Sequence, residues 1–176
     1  MRFAGLVGLQ WKDASQGSLK SGIAYSTAPT DHQLGTLAAE WDKAHNQENI
    51  YELVRLSGTA TVGSLLYQTG TNNSYVVMTG TGAGMPYAIS MDAPTVSGTW
   101  QWAQKYGINT TIQITNTVGG SAAASSLLCG GESAAGGVST FYSNIASGTL
   151  AGLWPLFGRS LTAAAGSTTI GFIKLL

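Results

Sequence analysis

The sequence predicts a mainly β protein: a small β-barrel or β-sandwich domain with an N-terminal arm and one short helix. Three observations predict it. From Ile50 onward the chain is a series of short alternating or β-branched runs separated by turn residues. It holds 24 glycines, many between those runs, as a closed or sandwiched all-β domain requires. Charged residues make up 9% of the chain, against about 25% in an ordinary globular domain.

The charge is also uneven. Arg2, Lys12, Asp13, Lys20, Asp31, Glu40, Asp42, Lys43, Glu48, Glu52 and Arg55 lie in the first 55 residues, leaving only Asp92, Lys105, Glu132, Arg159 and Lys174 beyond them. The break divides the chain into an arm with a short helix, residues 1–48, and a β-domain, residues 49–176. Residues 1–30 mix Gly, Ser and Gln with isolated hydrophobics and read as extended or irregular. Asp31 suits a helix N-cap, since its carboxylate can accept from the free amides of a first turn. Leu34, Leu37, Ala38, Trp41 and Ala44 recur at helical spacing, so the helix is expected from about His32 to His45.

In the β-domain, runs are expected at 50–56, 59–63 leading into 64–67, 75–78, 86–91, 99–106, 109–115 and 168–175, with 127–129 a short candidate strand. Thr69–Asn73 reads as a turn, Gly80–Gly84 as a loop and most of 116–137 as loop. Trp100 and Trp102 lie two apart on one strand and so share a face. They are a core pair, a sugar-stacking platform or a partner contact, and the core is favoured.

Catalytic patterns are weak. His32 and His45 belong to no metal-binding spacing. The strings Gly131-Glu132-Ser133 and Gly119-Gly120-Ser121 lack the second glycine of a nucleophile elbow. Gly80-Thr81-Gly82-Ala83-Gly84 lacks the Gly-Lys-Ser/Thr ending of a phosphate loop, and Pro86 follows it where a helix should start. The single cysteine, Cys129, has no intrachain partner and sits in an apolar run that would keep its thiol protonated. An enzyme would need Asp92, Glu132 and a histidine to meet in one pocket. No cofactor is implied.

The formal net charge is zero and there is no basic run, which excludes a phosphate-reading nucleic-acid surface. No apolar run reaches the ~18 residues of a membrane helix. Met1–Leu9 faintly resembles a secretion signal, but no small-residue cleavage site follows. A neutral exterior suits a protein packed among neighbours better than a free monomer.

The β-domain's grammar resembles that of capsid decoration (cement, or head-stabilising) proteins of tailed bacteriophages. The resemblance is carried by Glu52-Leu53-Val54-Arg55-Leu56-Ser57-Gly58-Thr59-Ala60-Thr61-Val62-Gly63, by Trp100-Gln101-Trp102-Ala103-Gln104-Lys105-Tyr106-Gly107, and by Phe157-Gly158-Arg159-Ser160-Leu161 with the closing Ile170–Leu176. The chain departs from the family's smaller members in its arm and in its central segment Asp92–Gly98. The resemblance implies a virion protein, made in the host cytoplasm, that binds the outer capsid surface and bridges subunits of the major capsid protein. It also implies self-association, a trimer before a dimer. The arm would be the clamp, with Phe3, Leu6, Val7, Leu9 and Trp11 as anchors and Trp41 as a further partner contact. Alternatively the arm residues form a first strand of their own domain. The competing class is a carbohydrate-binding or adhesive β-module of a phage head fibre or secreted surface protein.

Overall fold

The computed structural model describes residues 34–69, 74–77, 86–114, 123–130, 136–140, 156–164 and 167–175. Ten strands are found among them and no helix: β1 Leu37–Asp42, β2 Gln47–Leu56, β3 Leu65–Thr69, β4 Ser74–Val77, β5 Pro86–Ile89, β6 Trp100–Gln113, β7 Leu127–Gly130, β8 Val138–Thr140, β9 Gly158–Ser160 and β10 Thr168–Lys174. All join one sheet in the order β1-β2-β4-β3-β5-β6-β10-β9-β7-β8, with β2 also pairing β6. The ladders are antiparallel except β2–β4.

Those pairings run in a circuit through β2, β4, β3, β5 and β6. Its weak links are β2–β4, with two register pairs, and β5–β6, with one. The sheet thus folds back on itself, but with two links this short it is not the regular closed barrel that was one of the two expected architectures. Alternation along the strands sorts side chains into three clusters, because neighbouring residues point to opposite faces. Val54, Leu56, Leu66, Ala88 and Ala103 share one cluster with Ala60. Their chain neighbours Leu65 and Ile89 point the other way, onto Tyr67, Ile112, Leu128, Phe157 and Ile173. Leu53 and Trp102 meet Ala38 and Tyr51 in a third.

The two runs expected at 99–106 and 109–115 are one 14-residue strand, β6, bent in the middle where a bulge opposite Ile50 and Tyr51 shifts its register. Its first half pairs β2 through Trp100–Tyr106 and its second pairs β10 through Tyr106–Gln113. The bend sits at Gly107, whose φ of +107 is closed to a residue with a Cβ. Amide side chains hold it. Asn49 Oδ1 accepts from the Ile108 amide at 3.0 Å. Gln104 Nε2 donates to the carbonyls of Tyr106 and Ile108, and Asn109 Nδ2 donates to Gln104 Oε1 at 2.8 Å.

The helix expected over His32–His45 is not formed in its described part. Leu37–Asp42 is strand β1, in register with β2 from Leu37↔Glu52 to Asp42↔Gln47. The helical spacing was real, but Leu37–Asp42 gains a six-residue ladder with β2 along one edge instead. Asn46, at φ 54, turns the chain back into β2. Asp31 and His32 lie outside the described residues, as do the turn at 70–73, the loop Gly80–Gly84 and the possible signal at 1–9. The run expected at 59–63 is a loop bound to its neighbours by backbone bonds, among them Gly63 N to Ser90 O at 2.8 Å and Gln113 N to Gly63 O at 3.1 Å.

Two consequences can be measured. Gly63 has φ +82, and a methyl there would overlap the Thr111 carbonyl oxygen. Gly63→Ala is expected to lower the unfolding free energy by about 2–4 kcal/mol in urea titrations. Burial pushes the phenols of Tyr51 and Tyr67 well above the ordinary 10.0, with Glu40 adding to the first and Cys129 to the second. An unfolded chain releases those protons near pH 10 while the folded one keeps them. Stability present below pH ~10 should therefore fall as pH rises above it. Tyr67→Phe removes a buried hydroxyl that has no hydrogen-bond partner. It should leave the urea midpoint at neutral pH unchanged or raised, and flatten the alkaline decline.

Candidate functional site

Polar side chains in the described interior hold strands together. Glu52 on β2 meets Lys105 on β6 at 3.1 Å, with side-chain exposures of 6% and 9%. Tyr87 on β5 donates its hydroxyl to the two Glu52 oxygens at 2.9 and 3.0 Å. The Lys105 ammonium also stands 3.4 Å from the centre of the Tyr87 ring, a cation–π contact that is stronger away from water. A carboxylate so occupied ties three strands together and is not free to act as a base.

Nearby, Gln101 donates to Ser90 Oγ at 2.8 Å and accepts from the amides of Met91 and Asp92. Ser160 is fully buried. Its hydroxyl donates to the Ala123 carbonyl at 2.7 Å and accepts from the Ser126 amide at 2.9 Å. These contacts dock loop ends onto β6 and β9.

Those residues weighed for catalysis that fall among the described ones are not brought together. His45 lies in the β1–β2 turn, with Nδ1 2.8 Å from Asp42 Oδ2. Asp92 lies in the loop before β6 and caps the Ala93 amide. Cys129 is fully buried. Glu132 and His32 lie outside the described residues. Among the described residues no group of three or more His, Cys, Asp or Glu could hold a metal ion.

Of the expected partner contacts, Phe3, Leu6, Val7, Leu9 and Trp11 lie outside the described residues. Trp41 is 57% exposed. It stands on β1 directly opposite Glu48 on β2, so the two side chains share a face. The turn beside them is braced: Asp42, itself buried, accepts from the Ala44 amide and holds His45. By contrast, Trp102 is 7% exposed and Trp100 packs partly buried against the same cluster. That pair serves the core and offers no open stacking platform.

A second exterior surface was not anticipated. Leu127 on β7 is in register with Arg159 on β9, Arg159 with Phe172 on β10, and Phe172 with Ile108 on β6. Directly opposed residues lie on one face, and none of these four is buried. Tyr106 stands edge-on to Phe172 with ring centres 5.2 Å apart. Leu161, just beyond β9, is 45% exposed. The clue in the sequence was the alternation Thr168–Lys174, which buries Thr169, Gly171 and Ile173 and turns Ile170 and Phe172 outward. Strand order was needed to see what they join.

The interior ion pair makes a direct prediction. Glu52→Gln or Lys105→Met alone leaves its partner's charge buried and should cost about 3–5 kcal/mol in chemical denaturation. The double variant Glu52→Leu/Lys105→Met should recover most of that loss.

No protein family matches the chain, and no curated protein is similar to it in sequence. Among solved structures it is similar to the N base of head fibre gp8.5 in bacteriophage phi29. The TM-score is 0.46 and the identity 11%, over 79% of this chain and 94% of that one. Likeness of that depth assigns neither a family nor a role.

Proposed function

We propose that this chain is a non-enzymatic structural protein of a tailed-phage head, bound to the outer capsid surface and bridging major capsid protein subunits. The observation that carries the reading is the disposition of its side chains. Among the described residues, charged and amide groups such as Glu52, Lys105, Gln101, Gln104 and Asn109 are buried and hold strands. The exterior offers Leu37, Trp41, Val96, Leu127, Leu156 and Leu161. A domain built this way presents contact surface. The phage-head setting comes from the resemblance of the 52–63, 100–107 and 157–161 segments to decoration proteins.

The physics suits the role. Packaged DNA presses outward on a shell, and many copies share the load, so each need contribute only a few kcal/mol. Near-neutral copies crowd without repelling one another. The N-terminal segment would act as a clamp, adding as a strand to a capsid sheet edge.

A second reading is an adhesive module of a phage head fibre. Trp100 and Trp102, occupied in the core, do not give it the stacking face first expected, and the exposed Trp41 is the aromatic that remains for it. In that case saturable quenching of tryptophan fluorescence by host-surface oligosaccharides is expected, and Trp41→Ser should abolish it.

For the main reading, purified protein mixed with expanded, undecorated capsids should add density at the capsid surface in electron microscopy. Capsids that gain no density would count decisively against it. Deleting residues 1–30 should leave a β-domain with unchanged circular dichroism and weakened capsid binding. Unchanged binding would refute the clamp.

A further inference from the structure

The two exterior surfaces are complementary to each other. The β1–β2 hairpin carries an aromatic side chain and a carboxylate side by side, Trp41 opposite Glu48. The face of β7, β9, β10 and β6 carries a guanidinium set among apolar neighbours: Arg159 lies between Leu127 and Phe172, flanked by Leu161. We propose that these surfaces meet between copies, the hairpin of one chain docking on the Arg159 face of the next to form a closed cyclic assembly.

Charge complementarity selects the occupant. Every acidic residue among the described ones, Glu40, Asp42, Glu48, Glu52 and Asp92, precedes β6. The Arg159 face has no acidic residue on its described strands, and Lys174 on β10 is a second exposed cation. Two such faces packed symmetrically would oppose like charges, whereas a hairpin from a neighbour brings Glu48 to Arg159 and lays the Trp41 ring beside a guanidinium. Leu127, Leu161 and Phe172 then lose water against the indole, and tryptophan with arginine is the pairing that most often anchors an interface. Both surfaces remain exposed within one chain, so neither satisfies the other there. A contact between unlike patches propagates from copy to copy and is completed when the ring closes.

The inference goes beyond the capsid reading and is tested without capsids. The full-length protein is followed by sedimentation velocity and native mass spectrometry over a concentration series. Arg159→Glu and Trp41→Ser change exposed side chains, and each should keep its circular dichroism and thermal midpoint. Each should also weaken self-association about 30-fold, as loss of an interface anchor does. Reversing the charges together, Arg159→Glu with Glu48→Arg, should restore assembly that Arg159→Glu alone abolishes. A native chain that stays monomeric at every concentration overturns the proposal. So does an assembly that Arg159→Glu leaves intact.

Discussion

The bend in β6 is the constraint on which the rest of the architecture depends. One 14-residue strand serves two neighbours because it changes direction at Gly107. Its first half completes the curl with β2 and its second half carries β10, and through β10 the strands β9, β7 and β8. A turn of this kind frees backbone groups from the ladder, and unpaired buried groups are costly. Asn49 and Gln104 supply the missing partners, and Asn109 holds the Gln104 amide in place. Side chains that might be read as surface solvation are the joint of the fold.

The same logic explains a chain so poor in charge. A curled sheet brings together strands distant in sequence, and polar contacts between side chains specify which strands meet and in what register. Glu52, Lys105 and Tyr87 come from β2, β6 and β5 and can all be satisfied only when those three are adjacent. Burying such a pair adds little net stability; its effect is to penalise wrong arrangements. A few large apolar side chains, Trp41 and Leu161 among them, are left exposed on the described surface.

Much of the fold was legible in local pattern. The runs at 50–56, 86–91 and 168–175 fall on β2, β5 and β10; β10 alternates as a half-buried strand does, whereas β2 is buried on both faces from Asn49 to Val54. The core role of Trp102 followed from the same reading. What misled was the segment 32–45, where helical spacing of apolar residues coincides with a strand that gains its partner only at β2. The short strands β8 and β9 escaped notice because three residues carry too little periodicity to register. Of the candidate contacts, Trp41 was put forward because it lies in the arm, outside the predicted core domain, and its side chain is exposed. The Arg159 face was not, since its members lie on four strands.

From its residues alone this chain is a β-rich, charge-poor protein without an evident reactive centre, because composition and alternation are properties of each segment separately. Which strands neighbour one another was decided only in three dimensions, as was the use of β6 twice and the meeting of Leu127, Arg159 and Phe172 on one open face. The physical reason is that cross-strand pairing is non-local. A strand's own sequence says that it needs a partner on each edge, while the partner's identity depends on turns, bends and buried polar contacts made elsewhere in the chain.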